Sequence, residues 1–193
     1  TWITEQLQQP ENAGLTQFQL IGREAARDMN LWSTVFTGQT DRIVRTAGGQ
    51  AANAWVTERI VENMGGSFDA IAIAPYFGPT QAQRATYSAA TTVTQVINDL
   101  RNNLPGSTQF TLNHQRLADE FSLRLGRDIQ LLAYEGGPHL NANNAPYQNA
   151  WFQATKDPRM ADLMSDYLRQ QNAAGLDSYV HYKLTDRDAA TPY

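Results

Sequence analysis

Four short apolar stretches of this chain each run into a residue that can engage a ligand. "RIVRTAGGQ" (Arg42 to Gln50) ends in Gln50, and "DAIAIAPYF" (Asp69 to Phe77) carries Tyr76 near its end. "DIQLLAYEGG" (Asp128 to Gly137) carries Tyr134 and Glu135, with His139 just beyond, and "SYVHYKL" (Ser178 to Leu184) carries His181 and Tyr182. Each of these strands thus ends in something other than a simple turn. Alternation along a strand puts Ala70, Ala72, Ala74 and Tyr76 on one face, and Leu131, Ala133 and Glu135 on one face. Tyr76 and Glu135 are therefore expected to point inward at a shared rim. Gly136 and Gly137 are expected to turn the backbone away without a side chain blocking the cleft.

Each of these residues also has a plainer reading. A strand-end glutamate often faces solvent or pairs with arginine, and a strand-end tyrosine often packs. His139 lies in a polar loop and His114 in a helical stretch, which reads as structural. The three histidines do not form a metal-ligand pattern, and HExxH is absent. "AGGQAAN" is neither GxGxxG nor a P-loop, and there is no GxSxG and no cysteine. No cofactor is expected. Trp32 falls in a helical apolar stripe and is expected in the core, whereas Trp151 falls in a long loop, where it could stack on a sugar.

The elements that must hold these residues alternate. Phe18, Ile21, Ala25, Met29, Trp32 and Phe36 recur at helical spacing, which predicts one helix over roughly Thr16 to Phe36. Asn53 is a candidate N-cap for a helix through Met64, with Gly65 and Gly66 suited to stop it. Ser88 to Asn103 and Asn113 to Leu125 read as two helices broken by "LPGST". Asp157, Pro158 and Gly175 bracket a further helix. Helices between apolar strands predict an α/β fold with parallel strands and right-handed crossovers. "YFGPTQAQRATY" and "PHLNANNAPYQNAW" follow strands, where such folds place function.

Composition narrows the classes. With 193 residues, 41% hydrophobic and 18% charged, the chain reads as a single globular domain, residues 1–193. A formal net charge of −4 argues against a nucleic-acid partner. No apolar run is long enough to span a bilayer. No signal-peptide pattern is visible, and neither "TWITEQLQQP" nor "AATPY" reads as a natural terminus, so a piece of a longer protein is expected.

"DRIVRTAGGQAANAWVTERI", "FDAIAIAPYFG" and "LLAYEGGPHL", in that order, resemble the later part of glycoside hydrolase clan A barrels, and more narrowly secreted bacterial cellulase-like or glycosidase-like proteins. The resemblance covers roughly Thr16 to Tyr193. It implies a partial TIM-barrel-like (β/α) domain whose strands match five to eight of a (β/α)8 barrel. It further implies retaining hydrolysis, with Glu135 at the nucleophile's position and Tyr76 beside it. Substrate contacts fall to Gln50, Tyr76, Tyr134, His139 and His181, and the partner is a polysaccharide or oligosaccharide. The clan's acid/base follows an Asn, and no Asn-Glu pair occurs in this sequence. The resemblance therefore implies that the acid/base and the rest of the barrel come from the parent chain, in a secreted or extracellular setting. Two other readings stay open: a non-catalytic carbohydrate-binding or surface protein on a degenerate barrel, and a doubly wound α/β domain with another small ligand.

Overall fold

The computed structural model describes residues 1–142 and 144–181. In chain order the elements are α1 (Trp2–Leu7), α2 (Gln17–Val35), β1 (Thr46–Gly48), α3 (Ala54–Glu62), β2 (Ala70–Ile73), α4 (Gln81–Ala85), α5 (Val93–Leu125), β3 (Gln130–Ala133), α6 (Gln148–Lys156), α7 (Arg159–Ala173) and β4 (Ser178–Tyr179). Single 3-10 turns occur at Pro10–Asn12 and Thr40–Arg42. The strands form a four-stranded parallel sheet in the order β1-β2-β3-β4, so the fold is α/β. The strands are shorter than their apolar stretches predict. The predicted fourth strand beyond His181, with Tyr182, lies outside the described residues.

The chain divides into two compact units. The first comprises Thr1–Ile73 and Asn113–Leu132; the second comprises Ala74–Leu112 and Ala133–Tyr193.

In the first unit, Thr16 opens α2 with a reciprocal cap. Its hydroxyl accepts from the Gln19 N–H at 3.3 Å, and its own N–H donates to the Gln19 carboxamide at 2.8 Å. Helix α2 closes on α3 at Gly22, where a Cβ would stand 2.4 Å from the Ile60 carbonyl oxygen. Leu20, Val61, Met64, Phe68, Ile71 and Phe121 are buried. Strand β1 pairs with β2 in the register Thr46↔Ala70, Ala47↔Ile71, Gly48↔Ala72. Asp69 locks the entry to that pair. Its carboxylate accepts from the Arg45 backbone N–H at 3.0 Å, from Arg45 Nε at 2.8 Å and from Arg127 Nη1 at 2.9 Å. Chiefly through the Arg45 hydrogen bonds, Asp69 is held below its ordinary value of 3.8.

Trp32 departs from expectation. It is 52% exposed, stacked on Phe36 with ring centres 5.5 Å apart. The stripe that the spacing marks out twists away from the core, which α2 meets through Leu20 and Gly22.

The second unit packs around Val96, Ile97, Leu100, Leu104, Trp151, Leu163 and Tyr167. Pro158, rather than the expected Asp157, stands at the N-cap of α7; Asp157, one residue earlier, accepts from the Arg159 N–H at 3.0 Å. The two helices expected on either side of "LPGST" are one. Helix α5 runs 33 residues with Pro105 inside it. Proline removes one helical donor, but the apolar stripe continues through Val96, Leu100 and Leu104 to Leu117 and Phe121. Burial on both sides of the break outweighs the local preference to stop. No helix among the described residues is long and apolar enough to cross a membrane.

Candidate functional site

Five of the six candidate residues fall in the second unit, on the segments that leave β2, β3 and β4. The segment after β2 and the segment after β3 continue side by side beyond the regular strands. Phe77 and Pro138 form a parallel bridge, the Phe77 N–H donates to the Gly137 carbonyl at 3.1 Å, and the His139 N–H donates to the Phe77 carbonyl at 2.7 Å. This backbone clamp sets the Tyr76 and His139 rings 5.6 Å apart, tilted by 40°. Tyr76 is half-buried and His139 exposed.

Between them in sequence, Tyr134 is exposed and Glu135 half-buried. Leu131 and Ala133 are buried, and Glu135 lies two residues beyond the end of β3. No hydrogen bond or ion pair to the Glu135 carboxylate occurs among the described residues. The third segment brings His181, half-buried, with its Nδ1 3.1 Å from the Tyr179 hydroxyl.

Gln50 lies in the first unit. It is exposed, and its backbone N–H donates to Thr57 Oγ1 at 2.9 Å. Thr57 Oγ1 in turn lies 2.9 Å from His114 Nε2, so His114, fully buried, is a structural histidine as its helical context suggests.

Two expectations are corrected. Trp151 does not lie in a loop. It sits in α6, 2% exposed, with its ring 5.1 Å from Tyr147 and 6.4 Å from Tyr87, so it is core. Its helix begins inside the Asn-rich stretch, where turn-forming residues hide the helical start. Gly136 and Gly137 do not leave open space. A Cβ on Gly136 would stand 2.8 Å from the Tyr179 ring and 3.0 Å from the Tyr167 hydroxyl. A Cβ on Gly137, whose φ is +128°, would stand 3.0 Å from the His181 ring. The glycines admit protein side chains against the backbone.

Tyr167 and Tyr179 are therefore site residues that strand-end reasoning missed. Tyr167 comes from α7 and packs edge-on to Tyr179, ring centres 5.7 Å apart. Its hydroxyl donates to the Pro75 carbonyl at 2.8 Å, and Ser107 Oγ donates to the same oxygen at 2.7 Å. Two buried hydroxyls thus fix the peptide unit that precedes Tyr76. Burial pushes Tyr179 up to about 12 and Tyr167 further still. Both are neutral phenols at any physiological pH.

The arrangement offers two tyrosine hydroxyls, two imidazoles and one carboxylate on neighbouring strand-end segments. Such groups can hydrogen-bond and stack on a hydroxylated ring. Comparison with protein-family models, with curated proteins and with solved structures gives no match to this chain.

Proposed function

We propose that the strand-end segments of the second unit form a carbohydrate-binding face. Glu135 is the nucleophile of a retaining glycoside hydrolase, of which this chain supplies part of a (β/α) barrel. The observation that carries this reading is the backbone clamp between Phe77 and Pro138, which sets Tyr76 beside His139 on the segments flanking Glu135. The sequential strand order supports a barrel wall over a doubly wound sheet, whose order reverses at a switch point.

Retaining hydrolysis needs a second carboxyl group about 5–5.5 Å from the nucleophile. Three acids of this unit are engaged elsewhere. Asp99 accepts from the Tyr87 hydroxyl at 2.5 Å and from Gln83 at 3.1 Å. Asp157 is held at about 2 by Arg159, and Asp166 pairs with Arg101 and Arg169. As the sequence holds no Asn-Glu pair, the reading assigns the acid/base to the parent protein, with a secreted setting and a polysaccharide or oligosaccharide substrate.

The test is made in the full-length protein. Glu135→Gln should keep oligosaccharide binding and lower turnover by several orders of magnitude, the scale of losing a covalent catalyst. A fluorinated glycoside should label Glu135; a label on another carboxylate ends the assignment. A second reading, a non-catalytic binder, is favoured by the filled space beside Gly136. Sugar binding with neither turnover nor label would select it.

A further inference from the structure

The first unit holds a separate array of polar groups at the entry to β1 and β2. There both oxygens of Asp69 are fully engaged. Oδ2 accepts from the Arg45 backbone N–H at 3.0 Å and from Arg45 Nε at 2.8 Å. Oδ1 accepts from Arg45 Nη2 at 2.7 Å and from Arg127 Nη1 at 2.9 Å. Each oxygen thus has a donor for each of its lone pairs. Two guanidinium groups share this one carboxylate, so the cluster carries a positive charge in excess. Arg127 Nη2 is spent as well, donating to the Gly66 carbonyl at 2.8 Å and to the Phe68 carbonyl.

Arg45 is used along one edge only. A guanidinium offers two forks, each a pair of N–H groups matched to two oxygens of an anion. Nε and Nη2 form the fork that grips Asp69. Nη1 and the second hydrogen of Nη2 form the other, which meets no acceptor among the described residues. Yet Arg45 is largely shielded, with 23% of its side chain exposed. It lines a cavity of about 400 Å³ together with Ser33, Thr40, Ile43 and Asp69. That volume falls in the range of small-molecule sites. The Thr40 hydroxyl has no protein partner among the described residues and is available as a donor. Ser33 Oγ spends its proton on the Met29 carbonyl at 2.9 Å and is left to accept.

We propose that this cavity binds a small molecule bearing a carboxylate or phosphate group, with the second fork of Arg45 taking two of its oxygens and Thr40 donating a further hydrogen bond. Asp69 lines the same cavity, but its charge is matched by Arg45 and outweighed once Arg127 is counted, so an anion can enter beside it. Ser33, as an acceptor, suits a hydroxyl or N–H elsewhere on the ligand, and Ile43 supplies an apolar wall. The site is built from the first unit alone and does not rest on the carbohydrate reading.

The experiment is ¹H–¹⁵N correlation of this chain during titration with sodium phosphate, sodium acetate and sodium chloride, at one pH and one ionic strength. Phosphate, acetate or both should give saturating shifts gathered at Ser33, Thr40, Ile43, Arg45 and Asp69. Saturation by phosphate alone identifies a phosphate-bearing ligand, and by acetate alone a carboxylate. Arg45→Lys keeps the charge but removes the fork, and should weaken binding by at least about tenfold, the scale of a lost charge-assisted pair. Because that change also loosens the grip on Asp69, Thr40→Val serves as a variant with no side-chain bond of the fold to lose. It should bind about 2–10-fold more weakly at unchanged thermal stability, the scale of one hydrogen bond. No saturating shift with either oxyanion, or the same shifts with chloride, overturns the proposal. So does wild-type affinity in either variant.

Discussion

At Gly136 a single methyl group has nowhere to go. The Tyr179 ring and the Tyr167 hydroxyl already occupy the position, and Tyr167 is tied to Pro75 from the other side. Gly136→Ala should cost about 1–3 kcal/mol, the scale of overpacking a buried site. Urea unfolding measures it, and a variant as stable as wild type would mean that the tyrosines can withdraw. Trp151 tests the opposite error, a hole. It is 2% exposed among Tyr87 and Tyr147. Trp151→Ala should cost about 3–5 kcal/mol. If instead it left stability unchanged and abolished sugar binding, Trp151 would be the ligand platform that its loop-like sequence suggests.

Among the elements, α5 and the β1–β2 entry make the sharpest predictions. Pro105→Ala restores one helical N–H in the interior of α5 and should stabilise the protein by about 1 kcal/mol or more, since an interior proline costs up to about 3 kcal/mol. Equal stability would show that the helix has already adapted to the missing Pro105 donor. Asp69 gives a pH-dependent test. Its folded value lies below the ordinary 3.8, so its stabilisation is fully present above that pH and is lost as pH falls through the lower folded value. The stability gap between wild type and Asp69→Asn should be constant near neutrality and close below about pH 4. A gap unchanged in acid would remove the Arg45 and Arg127 pairs as its source.

These same elements mark what the sequence reveals. The apolar runs at Ala70–Ile73 and Gln130–Ala133, the Thr16 start of α2 and the Asp157-Pro158 approach to α7 are written in short-range patterns, which periodicity and turn chemistry read directly. Pro105-Gly106 and the Asn-rich run before Trp151 are also short-range signals, and they mislead. Their helices persist because residues distant in sequence bury them, and no local window contains that term. The site divides in the same way. Tyr76, Glu135, His139 and His181 are legible as strand ends. Tyr167 enters from the middle of α7, where helical spacing marks it as core and nothing marks its hydroxyl.

Over the whole molecule, neither unit is continuous in sequence. The first needs Asn113–Leu132, which supplies Phe121 against Phe68 at 5.6 Å, His114 against Thr57, and Arg127 against Asp69. A fragment ending at Leu112 should therefore show no dispersed NMR spectrum and little far-UV signature of native helix. A folded fragment would mean that the later residues only decorate a unit already complete. Interleaving also imposes a timetable during synthesis. The ribosome releases Thr1–Ile73 before a stretch that belongs elsewhere, and only afterwards the residues that close the first unit. Until Leu132 has emerged, Val61, Phe68 and Ile71 have no permanent cover, and α5 must be extended through Pro105 before either half finds its destination. An aggregation-prone interval should therefore fall between those two moments, with the early strands made and their lids still inside the exit tunnel.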